Sequence, residues 1–430
     1  LNVQIVEVIV KLIDGLAMPD LNPNEQRRFA EEVVRRLRAA GFAAFWAGGC
    51  VRDRLLGRTP KDYDVATDAT PPEIQILFGR HRTLAVGASF GVITVKGPPA
   101  AGMIEVATFR KDAAYSDGRH PDSVTFSSAE EDAKRRDFTV NGLFFDPVEN
   151  RVIDYVGGQV DLAARRLRAI GDARERIAED KLRMLRAVRF SAALDFDLEA
   201  ATLAAIREMA GQITAVSAER IAMEMRRMLV ESGRVRAVEL LLDSNLAAFV
   251  LPEILPNSPD DKTKLDESLA VLGRLTEPNF PLALATLLHK LVSPEAAASI
   301  CRRWKLSNEE TDRVVWLLRH RDSLADAKSL RWSQLQPILI AAGIGDLLAF
   351  LEAVSPATAE SAAFCREKLN LPAETLDPPP LVTGDDLIAL GIPQGPQYRV
   401  LLEEIRDLQL DEKLKNREDA IRYIKSCNAG

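Results

Sequence analysis

"FAAFWAGGCVRDRLLGRTPKDYDVATDATPPEI", residues 42–74, decides how the first part of the chain folds. The apolar run through Trp46 reads as a strand, Gly48 and Gly49 turn it into a short helix, and Gly57 can end that helix before a second strand, "YDVAT". Two glycines let a backbone approach a ligand closely, and the amides exposed at a new helix start favour an anion. Arg52, one turn in, would add a guanidinium to the same anion. On its own, a Gly-Gly turn is more often only a turn. Asp62 and Asp64 change that balance, because residues two apart on a strand point the same way. Two carboxylates beside a phosphate-binding turn suit Mg²⁺ ions bridging a triphosphate and an attacking hydroxyl. An isolated Asp-x-Asp is more often a solvated edge, so the reading needs a third acid. Glu105 supplies it in "MIEVATFR", another apolar strand in which Ile104 and Val106 face the opposite side. Catalytic and metal-binding roles are therefore expected of Asp62, Asp64 and Glu105, with two ions about 4 Å apart activating a hydroxyl and stabilising a leaving pyrophosphate.

At 430 residues the chain exceeds one compact core, so two to four domains are expected. Hydrophobic residues at 47% and charged residues at 28% describe an ordinary globular protein. No apolar run of membrane-spanning length occurs, and "LNVQIVEVIVKLIDGLAM" lacks the basic flank and cleavage site of a secretory signal, so a cytoplasmic enzyme without membrane contact is expected. Cys50, Cys301, Cys365 and Cys427 lie far apart with no Cys-x-x-Cys pair, which argues for reduced thiols, no disulfide framework and no zinc. A net charge of -7 excludes indiscriminate coating of nucleic acid, so any polyanion must be met locally. Residues 134–190, with 13 Lys and Arg against 9 Asp and Glu, are the candidate patch.

Texture changes along the chain. "FAAFWA", "YDVAT", "FGVITV" and "MIEVATF" are short runs divided by Gly, Pro and charge, whereas from about residue 160 onward Ala, Leu, Arg and Glu recur at helical spacing. Prolines break the pattern at "LPEILPNSPDDKT" (251–263) and "LDPPP" (376–380). The expected division is a helical extension over 1–30, a mixed head over 31–150, a helical neck over 151–250, a helical body over 251–375 and a helical tail over 376–430.

Two polar stretches stand out against apolar surroundings. In "RRDFTVNGL" (135–143), a helix starting near Arg136 would put Asp137 and Asn141 on one face while Phe138, Val140 and Leu143 pack; a surface pair of Asp137 with Arg135 or Arg136 is the plainer alternative. In "AEDKLRMLRAVRF", helical spacing lets Glu179, Asp180 and Arg183 meet at one edge, either as an intrahelical ion pair or as a base reader. A carboxylate accepts from an exocyclic amine and a guanidinium donates to an unprotonated ring nitrogen, so cytosine and adenine both satisfy one Asp and one Arg. Uracil and guanine present a carbonyl and a ring N–H there, and such buried mismatches cost roughly 1–3 kcal/mol per unsatisfied group.

"GGCVRDRLLGRTPKDYDVAT", "IEVATFR", "RRDFTVNGL", "DYVGGQVDL" and "EDKLRMLRAVRF" occur in the order seen in class II tRNA nucleotidyltransferases and the related bacterial poly(A) polymerases, which the chain resembles from about residue 42 to 245 and more loosely to "GDDLIALGIPQGP" near its end. The resemblance implies an α+β head with a polymerase-β-like mixed sheet, followed by an all-α neck, body and tail. It implies a nucleotide site built from Gly48, Gly49, Arg52, Arg136, Asp137, Asn141, Glu179, Asp180, Arg183, Arg186 and Arg189. In it Asp137 would bond the ribose 2′-hydroxyl, Arg136 and Asn141 would hold the triphosphate, and Asp180 and Arg183 would template CTP and ATP with Glu179 positioning the arginine. The substrates would be the tRNA 3′ end, CTP and ATP, the cofactor Mg²⁺, and the activity addition of C, C and A without a nucleic acid template. Enzymes adding only A, poly(A) polymerases and a catalytically inactive RNA-binding scaffold are the competing readings.

Other charged residues are read more plainly. Arg186 and Arg189, with Arg165, Arg166 and Arg168 before them, either neutralise phosphates or form a solvated face. Glu219, Arg220 and Glu224 in "AERIAMEMRRML" resemble a family motif that buttresses the neck. "FRKDAAYSDGRHPDSVTFSSAEEDAKRRD" reads as a polar loop, and its full length disfavours CC-only addition by analogy with the family; Arg110 and Arg119 could reach phosphates, and His120 is a loop histidine. His289 is followed by Lys290, so no phosphohydrolase site is expected there. Gly395 and Pro396 start a helix that either seats a phosphate or is ordinary helix initiation.

Overall fold

The computed structural model describes residues 21–112, 124–393 and 395–427. Contacts divide the chain into two units, Leu1–Pro252 and Glu253–Gly430.

The first unit opens with helix α1 (Pro23–Ala39), capped by the Asn22 side chain, which accepts from the Asn24 and Glu25 amides. Its Phe29, Val33, Val34 and Leu37 recur at helical spacing and are buried. The four runs expected as strands are strands: β1 (Ala44–Ala47), β2 (Asp64–Thr67), β4 (Val92–Lys96) and β5 (Met103–Thr108), with helix α2 (Gly49–Leu55) after the first, helix α3 (Pro71–Phe78) after the second and the short β3 (Thr83–Leu84) before the third. After β6 (Arg110–Asp112), β7 (Val124–Phe126) and helix α4 (Ala129–Lys134) come β8 (Phe144–Asp146) and β9 (Arg151–Ile153). The sheet order is β3-β4-β5-β2-β1-β8-β9, with β2 and β5 its parallel pair. Their register sets Asp64 opposite Glu105 and Val65 opposite Val106. One face therefore carries Trp46, Val65, Ile104 and Val106 into the core with α1 and α3. The other presents Asp64 and Glu105 among Ala47, Ala66 and Ala107, whose small side chains leave the carboxylates room.

The rest of the first unit is helical: α5 (Gly158–Ala163), α6 (Ala173–Glu179), α7 (Arg183–Leu194), α8 (Ala200–Met209), α9 (Ala218–Val230) and α10 (Arg234–Asp243). A two-residue parallel pairing of Arg166–Leu167 with Asp197–Leu198 is the small departure from an all-helical neck. Two expected helices are broken. "RRDFTVNGL" starts no helix: α4 ends at Lys134, Phe138 is extended and bridges Ala169, and Thr139–Asn141 form a single 3-10 turn. Tertiary pairing of a buried Phe with a neighbouring segment overrides the local pattern there. The Glu179–Arg183 stretch is likewise a corner, because Asp180 is extended and its own carboxylate accepts from the Leu182 amide, a local bond that competes with helix continuation.

The segment read as a polar loop contains the antiparallel β6–β7 ribbon and α4. Arg119 and His120 lie outside the described residues. Among the described residues no single helix is long and apolar enough to cross a membrane.

The second unit is built from helices over Pro259–Arg274, Phe280–Leu288, Pro294–Arg303, Asn308–His320, Trp332–Leu339, Ile344–Val354 and Pro356–Leu369, with Gly384–Ala389, Gln397–Leu410 and Arg417–Cys427 at its end. Ser258, Asn279, Ser293 and Ser355 each cap a helix whose first turn carries proline, so the break at 251–263 is also a helix start, whereas the prolines of 376–380 lie between helices. His289 is buried, bonded to the Thr286 carbonyl at 2.7 Å and packed edge-on to Phe350, a core contact. Gly395 and Pro396 precede the Gln397–Leu410 helix as read.

Candidate active site

The three acids expected to bind metal come from the start of β2 and the approach to it, and from the middle of β5. Asp64 begins β2, whereas Asp62 sits two residues earlier, in the approach to the strand and exposed. Tyr63 between them is buried against Trp46, so the alternation that points both aspartates the same way survives although only one is within the strand. The Asp64 carboxyl is pushed up to about 7, first by its burial and then by Asp62 and Glu105. Glu105 is raised too, by burial with Asp62 adding to it. Three anions thus feel one another on one sheet face. They do not close a ready cage: among the described residues no three carboxylate, imidazole or thiol side chains are placed to hold a metal ion. The mutual repulsion of Asp62, Asp64 and Glu105 is what a cation between them would relieve. Hard carboxylate oxygens with Asp64 reluctant to ionise fit a hard divalent cation, whose charge would reverse that penalty.

Beside them runs the turn of the Gly-Gly stretch. Gly48 takes φ 73 and ψ -127, and a side chain there would meet the Arg136 guanidinium at 2.8 Å. Arg52, buried, donates to Asp53 at 2.7 and 2.8 Å and to the Asn141 amide oxygen at 2.7 Å. Arg136 donates to Asp132 at 3.0 and 3.2 Å and to the Asn141 carbonyl at 3.2 Å. Arg135 forks onto the same buried Asp132, whose carboxyl these two arginines hold below its ordinary range although burial opposes them. Asp132 was missed from sequence; the acid run of "AEEDAKRRD" ahead of two arginines was the signal.

Asp137 and Asn141 meet as expected, but through a turn: Asn141 donates to Asp137 at 3.0 Å. Asp137 also accepts from the Phe138 amide at 2.8 Å and from Arg186 at 2.6 and 2.9 Å. Burial works against its charge, yet the Arg186 guanidinium and these bonds hold the carboxyl far below the usual range. Arg186 and Arg189 are neither a solvated face nor a free phosphate clamp. Arg189 is buried and donates to Glu224 of α9 at 2.6 Å, and Arg186 lies 3.9 Å from the other Glu224 oxygen. Helix α7 turns them inward onto Glu224 and Asp137, whose carboxylates balance their charge below the surface.

At the corner between α6 and α7, Glu179 pairs with both Arg176 and Arg183, and Arg183 also donates to the Arg135 and Arg176 carbonyls at 3.3 and 2.7 Å. Asp180 does not join them: Arg220 of α9 donates to it at 2.8 Å. The residues read as a buttress, Arg220 and Glu224, therefore hold Asp180 at this corner and the Arg186–Arg189 pair from one helix. Arg166 and Arg168 share the buried Asp161, at 3.0 and 2.7 Å, which also accepts from Thr139. Asp154 accepts from four successive amides, Val156 to Gln159, and so builds the "DYVGGQVDL" turn. Cys50, Cys301 and Cys365 are buried and Cys427 is exposed, all as free thiols.

Comparisons with known proteins cover most of the chain. The family model described as "Poly A polymerase head domain" matches residues 44–168, one for an RNA- and SrmB-binding region of polymerase A matches 195–257, and one for tRNA nucleotidyltransferase domain 2 matches 281–424. The CCA-adding enzyme of Levilactobacillus brevis is 33% identical over 404 residues, 92% of this chain and 97% of that protein. That of Enterococcus faecalis is 40% identical over 305 residues, 69% and 71% of the two chains. The crystal structure of the Bacillus stearothermophilus CCA-adding enzyme in complex with CTP superimposes with a TM-score of 0.77 at 29% identity, covering 94% of this chain and 99% of that one. The Thermotoga maritima enzyme, solved with tRNA, shares the fold at a TM-score of 0.63 and 19% identity.

Proposed function

The chain belongs to the family of CCA-adding enzymes, class II tRNA nucleotidyltransferases, and on that premise we propose that it extends the tRNA 3′ end with C, C and A from CTP and ATP in the cytoplasm. Asp62 and Asp64, with Glu105 beside them, would hold divalent cations, which we assign as Mg²⁺ and which would supply activation of the terminal hydroxyl and charge balance for the leaving pyrophosphate. The Gly48–Gly49 turn, Arg52, Arg136 and Asn141 bind and orient the triphosphate. Asp137, fixed by Asn141 and Arg186, accepts from the ribose 2′-hydroxyl. Arg183, held by Glu179, donates to the unprotonated ring nitrogen of cytosine or adenine, and Asp180 accepts from the amine. To do so Asp180 must share or leave Arg220, which holds it in this state. Residues 31–150 are the catalytic head, 151–250 the base-selecting neck, and 251–375 and 376–430 the body and tail that engage the RNA.

The observation that supports this reading most is the Asp64–Glu105 register on the parallel strand pair, with Asp62 close enough to raise both carboxyls. A binding scaffold gains nothing from three mutually repelling acids. The test uses tRNA transcripts ending before CCA, after C and after CC, with labelled CTP or ATP. All three should be completed by the wild type, and Asp62→Ala with Asp64→Ala should abolish extension while tRNA binding persists. No CTP incorporation on the shortest transcript would leave an A-adding enzyme or a poly(A) polymerase, and turnover surviving in the double variant would overturn the catalytic assignment.

A further inference from the structure

Phe190, in the last part of α7, takes no part in the chemistry above, yet three arginines crowd its ring. The guanidinium carbons of Arg189, Arg186 and Arg52 lie 4.0, 5.2 and 5.3 Å from its centroid. Two of these arginines are the ends of one polar chain. Arg52 donates to Asn141 at 2.7 Å, Asn141 donates to Asp137 at 3.0 Å, and Asp137 accepts from Arg186 at 2.6 Å. The ring on which both end guanidiniums rest closes that chain into a circuit. Its edge also packs against Phe138, the residue after Asp137, with centroids 5.9 Å apart and planes at 75°.

We propose that Phe190 is a positioning residue for the incoming nucleotide, its ring fixing Arg52 at the triphosphate end and Arg186 at the sugar end relative to one another. The inference rests on the nucleotidyltransfer reading above. Three cations gathered at one point repel. Asp53, Asp137 and Glu224 each neutralise one, and none of the three carboxylates touches both ends of the circuit. The negative face of an aromatic ring is what both ends share. An aliphatic side chain would fill the volume and leave the two guanidiniums free to splay. Each cation–ring contact is worth roughly a three- to thirtyfold factor in an equilibrium, according to how far it is shielded from water.

The experiment compares Phe190→Leu with Phe190→Tyr in the full-length enzyme on a tRNA ending before CCA, measuring KM and kcat for CTP, the preference for CTP over dCTP, and the melting temperature. Phe190→Leu should raise KM about tenfold with kcat changed less, and should narrow the CTP to dCTP preference, because Asp137 loses its fixed partner. Phe190→Tyr should restore both, since it keeps the ring. A merely structural role would lower the melting temperature without moving the sugar preference. The inference falls if Phe190→Leu keeps both KM and sugar preference, or if it loses them and Phe190→Tyr restores neither. Should Phe190→Leu be insoluble, Phe190→Met gives the same readout. Extension persisting in the Asp62, Asp64 double variant would sink the parent reading; an inert Phe190→Leu beside a dead double variant sinks this inference alone.

Discussion

Glu224→Leu tests whether the charges under the neck are held in pairs. Glu224 is buried, its side chain 5% exposed, and it accepts from Arg189, 9% exposed, at 2.6 Å. It also faces Arg186 at 3.9 Å, but Arg186 keeps Asp137 when Glu224 is removed. Arg189 keeps no paired anion among the described residues, and burial already presses its guanidinium below its ordinary range. Removing one partner of such a buried pair costs about 3–5 kcal/mol, mostly the penalty on the stranded charge. At about 2–4 °C per kcal/mol for a unit of this size, the melting temperature should fall by on the order of 10 °C in calorimetry. Arg189→Met in the same background removes the stranded charge, so the double variant should recover most of the loss, giving a coupling of a few kcal/mol in the cycle. The reasoning fails if the single variant melts within about 2 °C of wild type. It fails equally if the two losses simply add, because additive costs would mean the pair is not a pair.

Two further perturbations separate strain from charge. In metal-free buffer the folded Asp64 carboxyl titrates near 7 against an ordinary 3.8, so the native state keeps a proton that the unfolded chain has lost, and stability declines as pH rises between those values. Asp64→Asn escapes that penalty: its advantage in melting temperature over wild type should widen from pH 5 to pH 8 and shrink when Mg²⁺ is added, and a difference constant with pH would contradict it. Gly48→Ala places a Cβ 2.8 Å from Arg136 in a left-handed backbone and should weaken CTP binding about tenfold, whereas Gly49→Ala, whose nearest neighbour is Arg52 at 3.8 Å, should change it little; equal effects in calorimetric titration would refute the distinction.

What could be read in advance divides by the range of the interaction. The strands of the head were legible because a period of two with buried Val, Ile and Trp on one side is a local signal, and it carried Asp64 and Glu105 to the same face without knowledge of their pairing. The turn at Gly48 was legible for the same reason, since a positive φ is a property of one residue. The two polar helices failed because their breaks are long-range: Phe138 is extended to meet Ala169, a residue 31 positions away by the numbering, and no propensity within "RRDFTVNGL" announces it. Asp137 and Asn141 still met, because a tight turn can bring together the same two side chains as a helical turn. Arg186 and Arg189 show the deeper limit. A run of arginines looks the same whether it faces water or a buried acid, and the acid that turns Arg189 inward, Glu224, lies 35 residues downstream on another helix. Helix α9 was read as support, and its ion pairs fit that reading, with Arg220 on Asp180 and Glu224 on Arg189 one helical turn apart. In the proposed function Asp180 reads the base and Asp137 the sugar; α9 holds Asp180 through Arg220 and faces Arg186, the partner of Asp137, through Glu224 one turn on, so nucleotide choice and sugar choice are expected to fail together when α9 is disturbed.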